Sequence, residues 1–277
     1  AFTARGRFAT LDKSRSLLLV KDLAEGTVKT RVKLPFSCDH IFQSSTAGRV
    51  ILKSGDRAVL FEVASRRVLH EVKGIVVRYV RWSPDGEFVA LLSKHAVVIA
   101  DKALRKICTI TEAVRVKSGV WDESGVFLYT TLNHIKYALP SRRVDSGIVR
   151  TLDVPLYLVA ARDTTLYAID RNAKVRTLRL DTTEYRFKLA LGRGSFGEVL
   201  SIIRSSRLCG KSVIAYLESA GFPEVALHFV DDPATKFNLA LECGNLEVAE
   251  AAADTLSDAD VWTRLAKAAL AQGEVSH

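Results

Sequence analysis

A segment of about 40 residues recurs along the first part of this chain. Trp82-Ser83-Pro84-Asp85-Gly86-Glu87-Phe88 aligns with Trp121-Asp122-Glu123-Ser124-Gly125-Val126-Phe127. Trp, Gly and Phe coincide at an offset of 39, as do His95 and His134 further on. Each copy reads apolar strand, tight turn, apolar strand, with Asp85-Gly86 and Ser124-Gly125 supplying the turn chemistry. Apolar strands begin near Leu17, Ala58, Ala96, Ile135 and Leu166, at intervals of 41, 38, 39 and 31. Two of them precede a more polar strand. In Thr27 to Leu34, Val28, Thr30, Val32 and Leu34 alternate with Lys29, Arg31 and Lys33; in Arg67 to Val72 the apolar-side set is Val68, His70 and Val72. Inner strands covered on both faces, followed by an outer strand that meets water, are the sequence form of a β-propeller blade. The spacing predicts four to five WD40-like blades in residues 1–183, a partial propeller entered in mid-array.

The pattern changes at about Thr183. Glu184 to Leu191 and Glu198 to Arg204 read as helical. Pro223 is suited to the first turn of a helix over Glu224 to Val230, with Ala226, Phe229 and Val230 on one face. Asp232-Pro233 breaks it. Phe237, Ala240 and Leu241 lead to Gly244-Asn245, a helix end with glycine at its cap. Leu246 to Leu256 is Ala-rich, and Val261 to Ala271 is expected to be amphipathic with part of its apolar face open. Short helices joined by tight turns, with Ala where neighbours approach closely, predict the start of an α-solenoid over 184–277. The fold class is therefore all-β followed by all-α.

Composition sharpens this division. Hydrophobic residues make up 48% of the 277 and charged residues 26%, enough for buried cores. Residues 1–183 carry 31 Lys and Arg against 18 Asp and Glu, whereas 184–277 carry 9 against 13. The basic part points to an acidic protein partner or an anionic surface. Its cations are scattered through strands with only pairs such as Arg66-Arg67 and Arg142-Arg143, so no nucleic-acid partner is expected. The longest apolar stretches, such as Leu156 to Ala161, fall far short of the ~18 residues a membrane span needs. No signal-peptide pattern opens the chain. It begins at Ala1 and contains no Met, and it is read as an internal piece of a longer protein. Cys38, Cys108, Cys209 and Cys243 form no Cys-x-x-Cys or Cys/His cluster, so free thiols are expected and no metal site.

The loudest motif is Gly192-Arg193-Gly194-Ser195-Phe196-Gly197-Glu198-Val199, which fits the kinase glycine-loop pattern letter for letter. In a kinase that loop joins two strands and is followed by a lysine strand, a catalytic loop and a metal-binding Asp-Phe-Gly, none of which occurs here. A connection between two helices explains the glycines. His95 and His134 occupy equivalent blade positions, which in adjacent blades sit apart, and read as packed or hydrogen-bonded. His228 beside Phe229 reads as structural, and Asp231-Asp232 as a solvated helix end. No nucleophile, base and orienting group come together. The sequence therefore predicts no catalytic, cofactor-binding or metal-binding residue, and no enzyme.

Longer strings carry a resemblance. Arg115-Val116-Lys117-Ser118-Gly119, Trp121 to Phe127, and Tyr129-Thr130-Thr131 through Asn133-His134-Ile135-Lys136-Tyr137-Ala138 closely resemble the coatomer α-subunit family of the COPI vesicle coat. So do Pro223-Glu224-Val225-Ala226-Leu227-His228-Phe229-Val230 and Phe237 through Leu239-Ala240-Leu241-Glu242-Cys243-Gly244-Asn245. The coatomer β′ subunit shares the architecture and a looser form of the 237–244 stretch; the blade segment favours α. The chain departs from the family at Gly192 to Gly197, where a less glycine-rich connection is the rule. The resemblance implies the second propeller (1–183) and the start of the solenoid (184–277), and a non-catalytic scaffold role in Golgi-to-ER and intra-Golgi transport. It implies other coatomer subunits as partners, β′ through the solenoid, and an Arf-class GTPase indirectly or through the whole coat. It implies a cytoplasmic protein peripheral on Golgi membranes and COPI vesicles. The family's dilysine cargo site belongs to its first propeller, so no cargo-binding residue is carried over. The rival readings are a propeller–solenoid adaptor of another trafficking complex, β′-like, ciliary or endosomal, and a kinase fragment resting on Gly192–Val199 alone.

Overall fold

The computed structural model describes residues 1–141, 144–205, 210–230, 232–256 and 258–273. Sheet 1 holds β1 (Phe2–Ala4), β2 (Arg7–Leu11), β3 (Leu17–Asp22) and β4 (Val28–Lys33). Sheet 2 holds β5 (His40–Gln43), β6 (Arg49–Ser54), β7 (Arg57–Glu62) and β8 (Arg67–Val72). Sheet 3 holds β9 (Tyr79–Trp82), β10 (Phe88–Leu92), β11 (Ala96–Asp101) and β12 (Lys106–Thr111). Sheet 4 holds β13 (Ser118–Trp121), β14 (Phe127–Thr130), β15 (His134–Ala138) and β16 (Ser146–Thr151). Sheet 5 has three strands, β17 (Leu156–Arg162), β18 (Thr165–Asp170) and β19 (Val175–Arg179). Within each sheet, strands lie in chain order and pair antiparallel. These are the blades that the repeat predicts.

The inner strands are apolar throughout because alternate residues serve opposite neighbours. On β6, Val50 and Leu52 join Ala9, Leu18 and Val32 of sheet 1, while Ile51 joins Val89 and Leu91 of sheet 3. On β10, Ala90 and Leu92 meet Trp121, Phe127 and Tyr129 of sheet 4. On β14, Leu128 faces Leu158, Leu166 and Ala168 of sheet 5. Every buried Leu, Val or Phe here stabilises by about 1.5–3 kcal/mol relative to exposure. The outer strands obey the opposite rule. On β4 only Val32 is buried, and on β8 Val68 and Leu69 face solvent while Val72 is covered. The alternation read from Val28 to Leu34 thus overstates the packed face.

Trp82 and Trp121 close β9 and β13, in matching places. The Trp82 indole Nε1 donates to the Gln43 carbonyl at 2.8 Å, and Trp121 Nε1 to the Arg81 carbonyl at 2.8 Å. Each ties its first strand to the far end of the first strand one sheet earlier. The turns that follow need left-handed glycines, and Gly86 and Gly125 have φ of +74° and +86°.

Sheet 5 corrects one expectation: Leu166 does not begin the strand equivalent to those at Ala96 and Ile135. β17 packs along β13, the first strand of sheet 4, so β17, β18 and β19 stand in the first, second and third places. The shortened interval of 31 marks that change of place.

Helix α1 (Thr183–Gly192) follows, then α2 (Phe196–Ser205), α3 (Gly210–Ala220), α4 (Pro223–Ala226), α5 (Pro233–Cys243), α6 (Leu246–Leu256) and α7 (Ala259–Gln272). The chain divides into compact units at Ala1–Phe196 and Gly197–His277. Strand gives way to helix at 183, but the first unit takes α1 with it.

In the second unit, from α3 to α7, consecutive helices pack on each other. Leu246, Ala249, Ala252 and Ala253 form the buried face of α6, and Phe237, Leu239 and Ala240 that of α5. The helix expected over Glu224–Val230 is shorter: α4 spans four residues and passes into a 3-10 turn, Leu227–Phe229. The cause lies downstream. Asp232 precedes a proline and is held extended, and Val230 is already extended, so the helix ends before them. Gly244 caps α5 in the left-handed region, with φ +73°. On α7, Leu265 and Ala269 are buried while Trp262 and Leu270 are exposed. Ala259, Trp262, Ala266 and Leu270 share one stripe by helical spacing, which is the open apolar face expected there.

Candidate functional site

The glycine string Gly192–Val199 lies between two helices. Gly192 ends α1, the Arg193 N–H donates to the Leu189 carbonyl at 3.0 Å, Gly194 takes φ +69°, and the chain re-enters helix at Phe196. These glycines serve a helix-to-helix turn. Arg193 reaches away from it, its Nη2 donating to the Ser124 carbonyl at 3.0 Å.

That contact belongs to a clamp between α1 and one end of sheet 4. Tyr137 Oη donates to Glu184 Oε1 at 2.9 Å, and Lys188 Nζ donates to Tyr137 Oη at 2.7 Å and Asp145 Oδ1 at 3.2 Å. Lys188 and Asp145 side chains are only 14% and 12% exposed, so neither charge is well hydrated alone. Asp122, buried in the repeated turn, accepts from the Val126 N–H and Ser124 Oγ, both at 2.8 Å. Burial, then the nearby Asp122 charge, pushes the Tyr185 phenol above its ordinary range. The Asp122 turn and Tyr137 strand together hold α1 as part of the strand-rich unit.

A second buried network joins sheets 3 and 4. Glu112, after β12, accepts from Tyr129 Oη at 2.6 Å and Lys136 Nζ at 2.8 and 2.9 Å. Burial, reinforced by Glu112, raises the Tyr129 phenol, so it remains a donor. Both networks are structural in geometry: donors and acceptors satisfy each other. Sequence reading missed them, although Lys136 between Ile135 and Tyr137 in an apolar strand was a signal that a buried anion waits nearby.

The remaining candidates are dispersed. His95 lies exposed in the turn between β10 and β11, and His134 half-buried at the start of β15. His228 is exposed in the 3-10 turn. Asp232 Oδ2 caps α5, accepting from Thr235 N at 2.9 Å. Asp231, Cys209 and the Arg142-Arg143 pair lie outside the described residues. Cys38, Cys108 and Cys243 are free thiols, all raised above the usual thiol value by burial, Cys38 to about 11. Among the described residues no His, Cys, Asp and Glu group has the makings of a metal site.

The COPA/B second beta-propeller family matches residues 1–170, and the COPA/B TPR domain family matches residues 197–277. The chain belongs to the coatomer COPA/B second-propeller family. Coatomer subunit alpha-3 of Oryza sativa subsp. japonica is 51% identical over 99% of this chain and 22% of that protein. Coatomer subunit alpha of Dictyostelium discoideum is 43% identical over 98% of this chain, and that of Saccharomyces cerevisiae 40% over 99%. The chain spans about a fifth of the length of these coatomer relatives. A solved structure of the dihydro-heme d1 dehydrogenase NirN in complex with DHE aligns with TM-score 0.51 and 16% identity, over 64% of this chain and 42% of that one, a likeness of fold alone.

Proposed function

We propose that this chain is a scaffold segment of a COPI coat α subunit, without catalysis of its own, that engages the β′ subunit through its helical unit. The single observation that carries the reading is the continuous identity to coatomer α across both units, 51% over 99% of the chain, with propeller and TPR matches in that order. In this reading the protein works on the cytoplasmic side of Golgi membranes and COPI vesicles, in retrieval to the endoplasmic reticulum. It meets an Arf-class GTPase through the assembled coat. Peripheral attachment suits a chain in which no helix among the described residues is long and apolar enough to cross a membrane. The division of labour follows the two compact units: 1–196 as a rigid body that includes α1, and 197–277 as the start of the solenoid.

Capture of purified β′ subunit by the full chain, followed by cross-linking and mass spectrometry, tests this reading. Stable capture with cross-links in residues 197–277 is the expected result. Absence of capture would contradict the coat reading, and cross-links confined to 1–196 would contradict the role given to the solenoid.

A further inference from the structure

Arg78, Lys94, Arg115 and Lys117 come together at one end of sheets 3 and 4, and backbone hydrogen bonds trace how their segments adjoin. The Arg78 N–H bonds the Leu92 carbonyl, next to the turn Ser93-Lys94-His95. That turn receives the following connection, with Glu112 N–H on the His95 carbonyl at 2.8 Å and Val116 N–H on the Lys94 carbonyl at 2.9 Å. The connection ends at Lys117, whose N–H bonds the Thr130 carbonyl at 2.8 Å. Arg78, Lys94, His95, Arg115 and Lys117 therefore share one continuous strip. It lies at the opposite end of β13 from the Asp122 turn that receives α1.

Arg78, Lys94, Arg115 and Lys117 form no ion pair among the described residues. Of the acids nearby, Asp56, whose carbonyl accepts from the Ile75 N–H at 2.9 Å, is exposed at the edge of the strip, and the others are engaged. Glu112 turns inward to Tyr129 and Lys136, and Glu71 pairs with Lys73 at 2.8 Å and Arg57 at 3.8 Å. Arg78 lies over the Tyr79 ring at 5.4 Å. Exposed apolar side chains flank the cations: Val76, Tyr79 and Val114, at 56%, 44% and 47% exposure.

We propose that this strip docks an extended acidic protein segment, its Asp and Glu carboxylates on Arg78, Arg115, Lys94 and Lys117 and an apolar side chain against Val76 or Val114. Charge complementarity decides the sign of the occupant. Its class follows from relief. Arg78 and Lys117 are half-buried at the starts of first strands, whereas Lys94 and Arg115 are exposed. A sheet of lipid headgroups meets projecting tips; carboxylates on an extended chain reach recessed ones and offer the guanidinium two oxygens.

The test uses the full 277-residue chain. Fluorescence anisotropy would follow a fluorescein-labelled peptide of repeating Glu-Glu-Leu, a Lys-Lys-Leu peptide, and phosphatidylserine vesicles in parallel. The Glu peptide should bind, and Arg115→Glu with Lys117→Glu should weaken it about tenfold or more. Lys94→Glu, at an exposed turn where folding is not at stake, should weaken it in the same direction. Arg31→Glu with Lys33→Glu, on exposed β4, should leave binding unchanged. Equal weakening by the β4 pair, no binding of the Glu peptide, or tighter binding to the vesicles than to the peptide would each overturn the proposal.

Discussion

At the scale of single residues, the two repeat tryptophans do different amounts of the same work. Both indoles donate to a carbonyl of the preceding sheet, but Trp121 is buried and packs on Phe127 with ring centroids 5.1 Å apart, whereas Trp82 is half-exposed. Trp121→Phe removes a buried hydrogen bond and leaves space, and should cost about 2–3 kcal/mol; Trp82→Phe should cost about 1 kcal/mol. Urea unfolding of the two variants checks the order. The thiols supply a pH test. Cys38 is buried and raised to about 11, so the folded state keeps its proton when the unfolded state has lost it. Its contribution is fully present below the unfolded thiol pKa of about 9 and declines as pH rises from there to about 11. In a Cys209→Ser background, a thiol reagent at pH 8 should label the half-buried Cys243 well before Cys38. Labelling of Cys38 at the rate of Cys243 would contradict the burial assigned to it. The tryptophan and glycine positions were legible in the sequence because turn chemistry and repeat spacing are local. The Glu112 and Lys188 networks were not, because their partners come from 24 and 43 residues away.

At the scale of elements, helix α1 is anchored more firmly than a linker needs to be. Lys188→Met removes the donor shared by Tyr137 and Asp145 and should destabilise the unit by about 1–2 kcal/mol. Hydrogen exchange should show α1 losing protection in that variant ahead of β14. Loss of protection in both at the same rate would mean that the clamp is not local. The glycine string beyond α1 gives the opposite expectation. Since it joins two helices and no lysine strand or metal-binding acid accompanies it, the chain should not bind ATP with magnesium. Saturable binding abolished by Gly194→Val would reverse that assignment. Helix periodicity placed α5 and α6 well, because their caps, Asp232, Gly244 and Asn245, are local signals. At 224–230 it found the helical stretch and its Asp232-Pro233 stop but not the change from α to 3-10 at Leu227. The fifth sheet was misread because a strand's place in a blade is set by its neighbour β13, and local pattern alone does not carry it.

At the scale of the molecule, a strand-rich unit whose blades are stitched one to the next is followed in the chain by a helical unit that begins at Gly197. The charge division between the two parts was plain in the composition, but the meeting of Arg78, Lys94, Arg115 and Lys117 emerged only once the turns were brought together. The coatomer relatives cover nearly all of this chain, so replacement in a living coat is the most direct measurement. The corresponding segment of Saccharomyces cerevisiae coatomer α, 40% identical, would be exchanged for this chain in the chromosome. The account predicts growth and retrieval of a dilysine-tagged reporter close to wild type, with β′ co-purifying. Failure to grow or to retain β′, with the chimaeric subunit present at normal abundance, would contradict the scaffold assignment.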